Sequence, residues 1–407
     1  MTIDRFYRPY PKPFVQQAVG WMNDRFILPK IARVKQVHLP VDDDGRLRAA
    51  LSGPFVICPN HPEFFTDWIL DKWLMSRYAP RASPWADPAV VNGMGGILRR
   101  VWLANGLVAA VRGVEIEKAL AYSGENLARG NGALIHPEGE VNWDNEVTGT
   151  MRAGAIRIAQ RGSELAGKTA NIAPLAWFIR FREDATPGLQ RELDYVEKRL
   201  GLREPRLAGP AQRLAKLYEH LLERESQPFD IELGPRGDGF AKRFDRGLAH
   251  AMERLAEVWP EYRPGSLPSA PEDAARAWRS SGRKAKDAPP DFKRQIAVLD
   301  KMLRLVPAGV HEPTLTQEQV GERVKRLRLD WLRGSVRDTV TRFIPRAAAR
   351  RDVFIRVAEP IGVDPMSNHE GILIAVRDRI GAVLAVARQD GLDRLGPPVR
   401  YANPFLS

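Results

Sequence analysis

The chain has 407 residues, 44% of them hydrophobic and 28% charged, which allows one large or two moderate domains and excludes disorder as its main state. A single cysteine, Cys58, excludes an internal disulfide framework and suits a reducing compartment. The net charge of +12 calls for an acidic partner or surface, with nucleic acid and anionic lipid as the two choices.

In chain order, the first eight residues lack an apolar core and do not read as a signal peptide. Residues 14–28 place apolar groups at helical spacing, with Pro11 and Pro13 before the helix and Pro29 expected to end it. Its Phe14, Trp21, Phe26 and Leu28 could lie in a lipid interface or pack on the protein's own core. A strand follows at 31–39, then a polar turn at Asp42-Asp43-Asp44-Gly45 and an apolar strand from Pro54 to Cys58. Helix is expected from Thr66 to Tyr78, a proline-rich loop around Pro80, Pro84 and Pro88, and another helix at 94–104. Gly93-Met94-Gly95-Gly96 reads as a flexible loop. Strands at 107–112, 132–136 and 171–181 alternate with helices at 116–129 and 150–161, the signature of an α/β layered domain.

After Arg182 the strand pattern gives way to helical windows at 187–200, 210–225, 238–257, 271–279, 290–305 and 316–343. Residues 264–291 look like exposed linker around one short helix. The last window carries Arg323, Lys325, Arg326, Arg328, Arg333, Arg337 and Arg342 with Leu327, Trp331 and Phe343, either a lipid-docking surface or solvated charge over an apolar face. A strand pattern returns at 352–361, followed by an amphipathic helix at 370–388. No apolar run approaches the roughly 20 residues needed to span a bilayer.

The densest chemistry lies where the apolar strand empties into Asn60-His61-Pro62-Glu63-Phe64-Phe65-Thr66-Asp67. Such a turn can hold a histidine at a pocket mouth with a carboxylate behind it, so that the imidazole takes a proton from a hydroxyl while the acid fixes its tautomer. Three further blocks follow in order: Gly106 to Arg112 (Gly-x5-Arg), His136-Pro137-Glu138-Gly139, and the apolar Ile172-Ala173-Pro174-Leu175. Met151-Arg152-Ala153-Gly154 opens a helix after the third.

Together these blocks resemble the glycerolipid acyltransferase family, the glycerol-3-phosphate and 1-acylglycerol-3-phosphate acyltransferases, over about residues 34–182 and 351–388. The family has Asn-His with an Asp after four intervening residues. Here five separate His61 from Asp67, and the usual acidic position falls on Thr66. Asp67 is the favoured acid, with Glu63 or a backbone carbonyl as alternatives.

The resemblance implies an α/β fold with a mixed sheet flanked by helices and a large all-helical insertion. On that reading 1–33 is an N-terminal amphipathic helical region, 34–182 the first part of the core, 183–350 the insertion, 351–390 the closing strand and helix, and 391–407 a tail. It implies acyl transfer from acyl-CoA or acyl-carrier protein to a hydroxyl of lysophosphatidic acid or a similar lyso-glycerolipid, with glycerol 3-phosphate or a non-phosphate lyso-lipid as alternative acceptors. A catalytically silent lipid-binding scaffold is the rival from another class.

His61 would be the general base and Asp67 its support. Arg112 would hold an acceptor phosphate, with Glu138, Gly139 and Arg152 contributing to substrate binding. His136 reads as a filler with a polar tip, and Cys58 as a buried structural thiol. Direct attack on the thioester needs no covalent intermediate, and the seven histidines show no metal-ligand spacing, so no cofactor or metal is expected. The acceptor class makes an anionic membrane surface, not nucleic acid, the expected partner. The expected location is the cytoplasm, peripheral on the inner face of the membrane.

Overall fold

The computed structural model describes residues 5–92, 95–111, 115–202, 208–262, 266–280, 288–306, 312–343 and 345–406. The chain divides into two compact units, one of residues 1–185 and 339–398 and the other of 186–338 and 399–407.

The first unit begins with α1 (Pro13–Met22), which continues without interruption as a π-helix over Asn23–Ile31. Pro29 therefore sits inside helical structure and does not end it. Lacking an N–H, Pro29 leaves one carbonyl of the preceding π turn without its helical donor. β1 (Val34–His38) follows, and the expected polar turn at Asp42–Gly45 is instead the start of α2 (Val41–Ala50). Asp42, Asp43 and Asp44 occupy its first turn, where negative charge complements the helix dipole, while Leu47 and Ala50 are buried. Next come β2 (Phe55–Pro59) and α3 (Thr66–Tyr78).

The proline-rich stretch is not a loop: it forms β3 (Ser83–Ala86) and α4 (Pro88–Asn92). Pro84 is tolerated within β3, and Pro88 opens α4, where a missing N–H costs nothing. α5 (Gly96–Ala104), β4 (Val108–Ala109), α6 (Glu115–Ala128), β5 (Ala133–Leu134), α7 (Gly154–Ala166) and β6 (Ala170–Phe181) complete this half.

The second unit comprises α8 (Thr186–Leu200), α9 (Pro210–Ser226), α10 (Gly239–Tyr262), α11 (Pro271–Ser280), α12 (Pro290–Leu303), the short β7 (Thr314–Thr316) and α13 (Gln317–Trp331). The long helix expected over 316–343 is broken: α14 (Val336–Phe343) is separate, and Gly334 between them takes a φ of 93°. Arg323 and Arg328 of α13 are buried and Lys325 is paired with Glu322 at 2.7 Å, so this helix offers no continuous basic face.

The chain returns to the first unit as β8 (Arg351–Val357), β9 (Ile361–Val363) and α15 (His369–Leu395). Residues 391–395 are thus helix, not tail. β10 (Arg400–Ala402) pairs antiparallel with β7, so the second unit is not all-helical. Phe405 seals that ribbon: it is 1% exposed, with its ring centroid 5.4 Å from Tyr218 and 5.3 Å from Phe240.

Among the described residues the first unit holds one mixed eight-stranded sheet in the order β1-β8-β6-β2-β5-β3-β4, with β9 pairing β6 off this path. β6, β2, β5, β3 and β4 run parallel, whereas β8 lies antiparallel to β6, with Phe181 opposite Arg351 and Leu175 opposite Val357. The sheet is covered on both faces. One apolar cluster joins Val56, Ile158, Phe178 and Phe354 to α7 and α15, and the other joins Ile57, Trp177 and Ile355 to Ile69, Leu70 and Leu74 of α3. That double burial explains why β2 and β6 read as continuous apolar runs. No described helix is long and apolar enough to cross a membrane.

Phe405→Ala should leave a cavity between Tyr218 and Phe240 and cost roughly 3–5 kcal/mol. Amide hydrogen exchange should accelerate in α9 and α10 and stay unchanged in the sheet of the first unit.

Candidate functional site

Strands β2 and β5 are parallel neighbours, in register at Ile57 and Leu134, and each ends one residue before a polar turn. His61 follows β2 and His136 follows β5, so both imidazoles emerge at the carboxyl ends of the parallel strands. In open α/β sheets that is where ligands bind. Their rings stack with centroids 4.0 Å apart and planes 18° from parallel.

The Asn60 side chain fixes where β2 ends. Its Nδ2–H donates to the Trp177 carbonyl at 3.1 Å and its Oδ1 accepts the Trp177 N–H at 2.9 Å, so an amide side chain imitates one more rung of the β2–β6 ladder. The backbone then turns away into the histidine.

His61 Nδ1–H donates to Asp67 Oδ2 at 2.7 Å. The same oxygen accepts the Glu63 N–H at 2.8 Å, and Oδ1 accepts Trp177 Nε1–H at 3.0 Å. The additional residue between His61 and Asp67 is absorbed by Phe65, which takes a left-handed φ of 71° immediately before α3 begins. A non-glycine residue held there costs roughly 1–3 kcal/mol. Of the alternatives, Glu63 is committed elsewhere: buried, it pairs with Arg351 at 2.7 Å, and Arg351 also donates to the Ala32 carbonyl and to Thr66 Oγ1.

Both Glu138 oxygens are engaged by backbone. One carboxylate oxygen accepts the His61 N–H at 2.7 Å and the other the Gly149 N–H at 2.6 Å, so it clamps the backbone of the His61 turn to the loop after β5. This is a positioning role beyond the expected contact of Glu138 with substrate or Arg112; Arg112 itself lies outside the described residues. Gly139 has a φ of 71°, and a Cβ there would approach the Arg152 side chain to 2.9 Å. Arg152 lies against this turn with its guanidinium 3.2 Å from Glu140, and its buried Nε finds no hydrogen-bond acceptor among the described residues. Gly95 and Gly96 lead into α5, while Gly93 and Met94 lie outside the described residues.

Sequence reasoning missed Asp71 and its contact with His136. His136 Nδ1–H donates to the Asn60 carbonyl at 2.8 Å, and its Nε2 meets Asp71 Oδ2 at 3.1 Å. A carbonyl and an ionised carboxylate can only accept, so with Asp71 ionised a ring facing both is doubly protonated. Asp67 and Asp71 stand one helical turn apart among apolar neighbours on α3, and that spacing was the available signal.

Burial pushes the Asp67 carboxyl up to about 7, against the pull of the His136 charge and the Glu63 and Trp177 donors. Burial also raises Glu138 to about 7 and raises Asp71. For His136 burial works downward, but the Asp71 charge and hydrogen bond outweigh it and lift the ring to about 9. His61 is held below its ordinary value of 6.5 by burial and then by the His136 charge, with Asp71 opposing. Its side chain keeps 21% of its surface exposed. Cys58 is fully buried and its thiol pushed far up, which removes it as a nucleophile.

This arrangement presents a neutral imidazole with Nδ1–H committed to a carboxylate and the Nε2 lone pair free, a base suited to a hydroxyl proton. Among the described residues no group of three or more His, Cys, Asp or Glu side chains could hold a metal ion. Compared with known families and curated proteins, the chain matches no family model and no curated protein.

The His136 shift has a stability consequence with a definite sign. Its folded value of about 9 lies above the ordinary 6.5, so the native state keeps a proton that the unfolded chain releases between those values. The stabilisation is complete below 6.5 and is lost as pH rises toward 9. The melting temperature should fall between pH 6.5 and 8, and His136→Phe should flatten that slope.

Proposed function

We propose that this protein is an O-acyltransferase that moves a fatty acyl group from acyl-CoA or acyl-carrier protein to a hydroxyl of lysophosphatidic acid or a similar lyso-glycerolipid. The observation that carries the reading is the 2.7 Å contact between His61 Nδ1 and Asp67 Oδ2 at the carboxyl ends of the parallel strands. The ordered sequence blocks that resemble the glycerolipid acyltransferases support it.

In this mechanism His61 Nε2 takes the acceptor's hydroxyl proton as that oxygen attacks the thioester carbonyl. Asp67 holds the ring and offsets the imidazolium as it forms. The tetrahedral intermediate collapses with loss of the thiolate, which recovers the proton from His61. Arg152, with its unsatisfied Nε beside the Gly139 turn, is a candidate contact for the acceptor phosphate, together with Arg112.

A lipid surface is the natural source of such an acceptor. α1 and its π-helical continuation expose Phe14 (79%), Trp21 (61%) and Phe26 (51%), and the neighbouring α5 exposes Ile97 (80%) and Leu98. The Lys12 N–H donates to the Ala104 carbonyl at 2.7 Å and Tyr10 to the Arg100 carbonyl at 3.2 Å, which ties the two segments together. Lys12, Arg25 and Arg100 are exposed among these apolar groups. Apolar burial plus basic charge is the chemistry of interfacial binding.

His61→Ala should lower acyl transfer on the order of 10²–10⁴-fold in folded protein. The assay is purified enzyme with labelled acyl-CoA or acyl-carrier protein against a panel of lyso-lipids and glycerol 3-phosphate. Near-normal turnover by the variant would remove His61 as the base. In flotation assays the protein should bind anionic vesicles, more weakly as salt rises, and the double change Trp21→Ser, Phe26→Ser should abolish binding. Binding unaffected by that pair would move the contact away from α1, and none at low salt would favour glycerol 3-phosphate as acceptor.

A further inference from the structure

The site contains a second imidazole that the proposed reaction does not consume. His136 is 8% exposed, both of its ring nitrogens are occupied, and it lies flat against the base at 4.0 Å. An edge-on Trp177 ring, 5.7 Å from its centroid, closes another side. Asp71 has no visible task other than to face this ring: its Oδ2 meets His136 and its Oδ1 is buried without a hydrogen-bond partner among the described residues.

We propose that His136 is a positioning residue for His61: an imidazolium, clamped by the Asn60 carbonyl and Asp71, whose face orients the base and keeps it unprotonated. This inference rests on His61 acting as a general base, and deepens that reading by naming what controls the base.

The argument is electrostatic and geometric. A neutral imidazole stacks favourably on an imidazolium, whereas two imidazoliums at this distance repel. Protonation of His61 is therefore opposed by the ring it rests on, even though Asp67 alone would invite it. The other charged groups around the pair do not overturn this. Asp67 and Asp71 reach it from α3, and Asp67 divides its oxygens among three donors. Glu63, in the turn, is bound to Arg351 of β8. Glu138, after β5, is occupied by two backbone N–H groups, and Arg152, before α7, lies beside Glu140.

A base kept neutral in this way works below the pH at which an isolated histidine would be half protonated. Asp67 can then support the developing charge during the reaction without capturing a proton on His61 beforehand. In the first steps of attack the proton moves to Nε2 against the His136 field, and that same field drives its return to the departing thiolate. The device favours turnover over trapping the proton.

The test is a histidine titration by NMR in the whole protein, following the ring Cε1–H signals of ¹³C-labelled histidine, with His61 and His136 assigned from their variants. Wild-type His136 should remain protonated through pH 8, and His61 should titrate below 6.5. His136→Phe, which keeps an aromatic face but removes the charge, should raise the His61 pKa by about one unit, a tenfold change in protonation at fixed pH. His136→Gln, which also removes the charge, should raise it likewise and is the second variant should His136→Phe fail to fold. The acid limb of the pH–rate profile should move upward with the His61 pKa. The proposal is overturned if His136 is neutral at pH 7, or if His61 titrates unchanged in both variants. The titration needs no substrate, so it reads out separately from whether the protein transfers acyl groups.

Discussion

Asp67 is 1% exposed, and a carboxylate taken that far from water is costly unless its lone pairs meet donors. Its donors come from two separate stretches of chain: the His61 ring and the Glu63 N–H from the turn between β2 and α3, and the Trp177 indole from β6. One buried group therefore registers a turn, a helix and a strand against each other. The left-handed Phe65 is sustained by the same bonds, because relaxing its φ would pull Asp67 away from all three donors. The location of the base and the strain beside it are one arrangement.

A second buried charge pair extends that arrangement across the sheet. Arg351 begins β8 and binds Glu63, Thr66 and the Ala32 carbonyl, so the turn that carries His61 is held by a strand far away in sequence. Buried pairs of this kind add little net stability, but losing one partner strands the other in a low-dielectric interior. The proposed chemistry of His61 thus depends on residues that never approach the reacting atoms. Asn60, Glu63, Glu138 and Arg351 all work through backbone or through another charge.

The layout was legible in the sequence wherever periodicity was strong. The long strands over 171–181 and 352–358, the helical windows after 186, and the contact of His61 with Asp67 all have counterparts close to where pattern and spacing put them. Short elements escaped for identifiable reasons. β3 contains Pro84, which argued against a strand, yet its two rungs to β5 need only backbone groups that a proline neighbour leaves intact. Asp42 to Asp44 carried turn chemistry but also the charges that favour a helix start, and burial of Leu47 and Ala50 decided for the helix. The basic stretch over 316–343 misled because formal charge says nothing of burial, and Arg323 and Arg328 lie inside. The contact of His136 with Asp71 escaped because the two become adjacent only when β5 lies beside β2.

The antiparallel pairing of β6 with β8 sets an order of events during synthesis. Phe181 leaves the ribosome long before Arg351, its partner, has been made. Until then β6, a twelve-residue strand dominated by apolar side chains, keeps one edge open, and such an edge invites pairing with other chains. Residues 186–338 of the second unit are made during that interval, and their contacts are largely local helical ones, which form fast. The nascent protein therefore spends much of its translation with the helices of the second unit, still lacking β10 and Phe405, tethered to an unfinished sheet. A chaperone that binds extended apolar strands would find its target in residues 170–181.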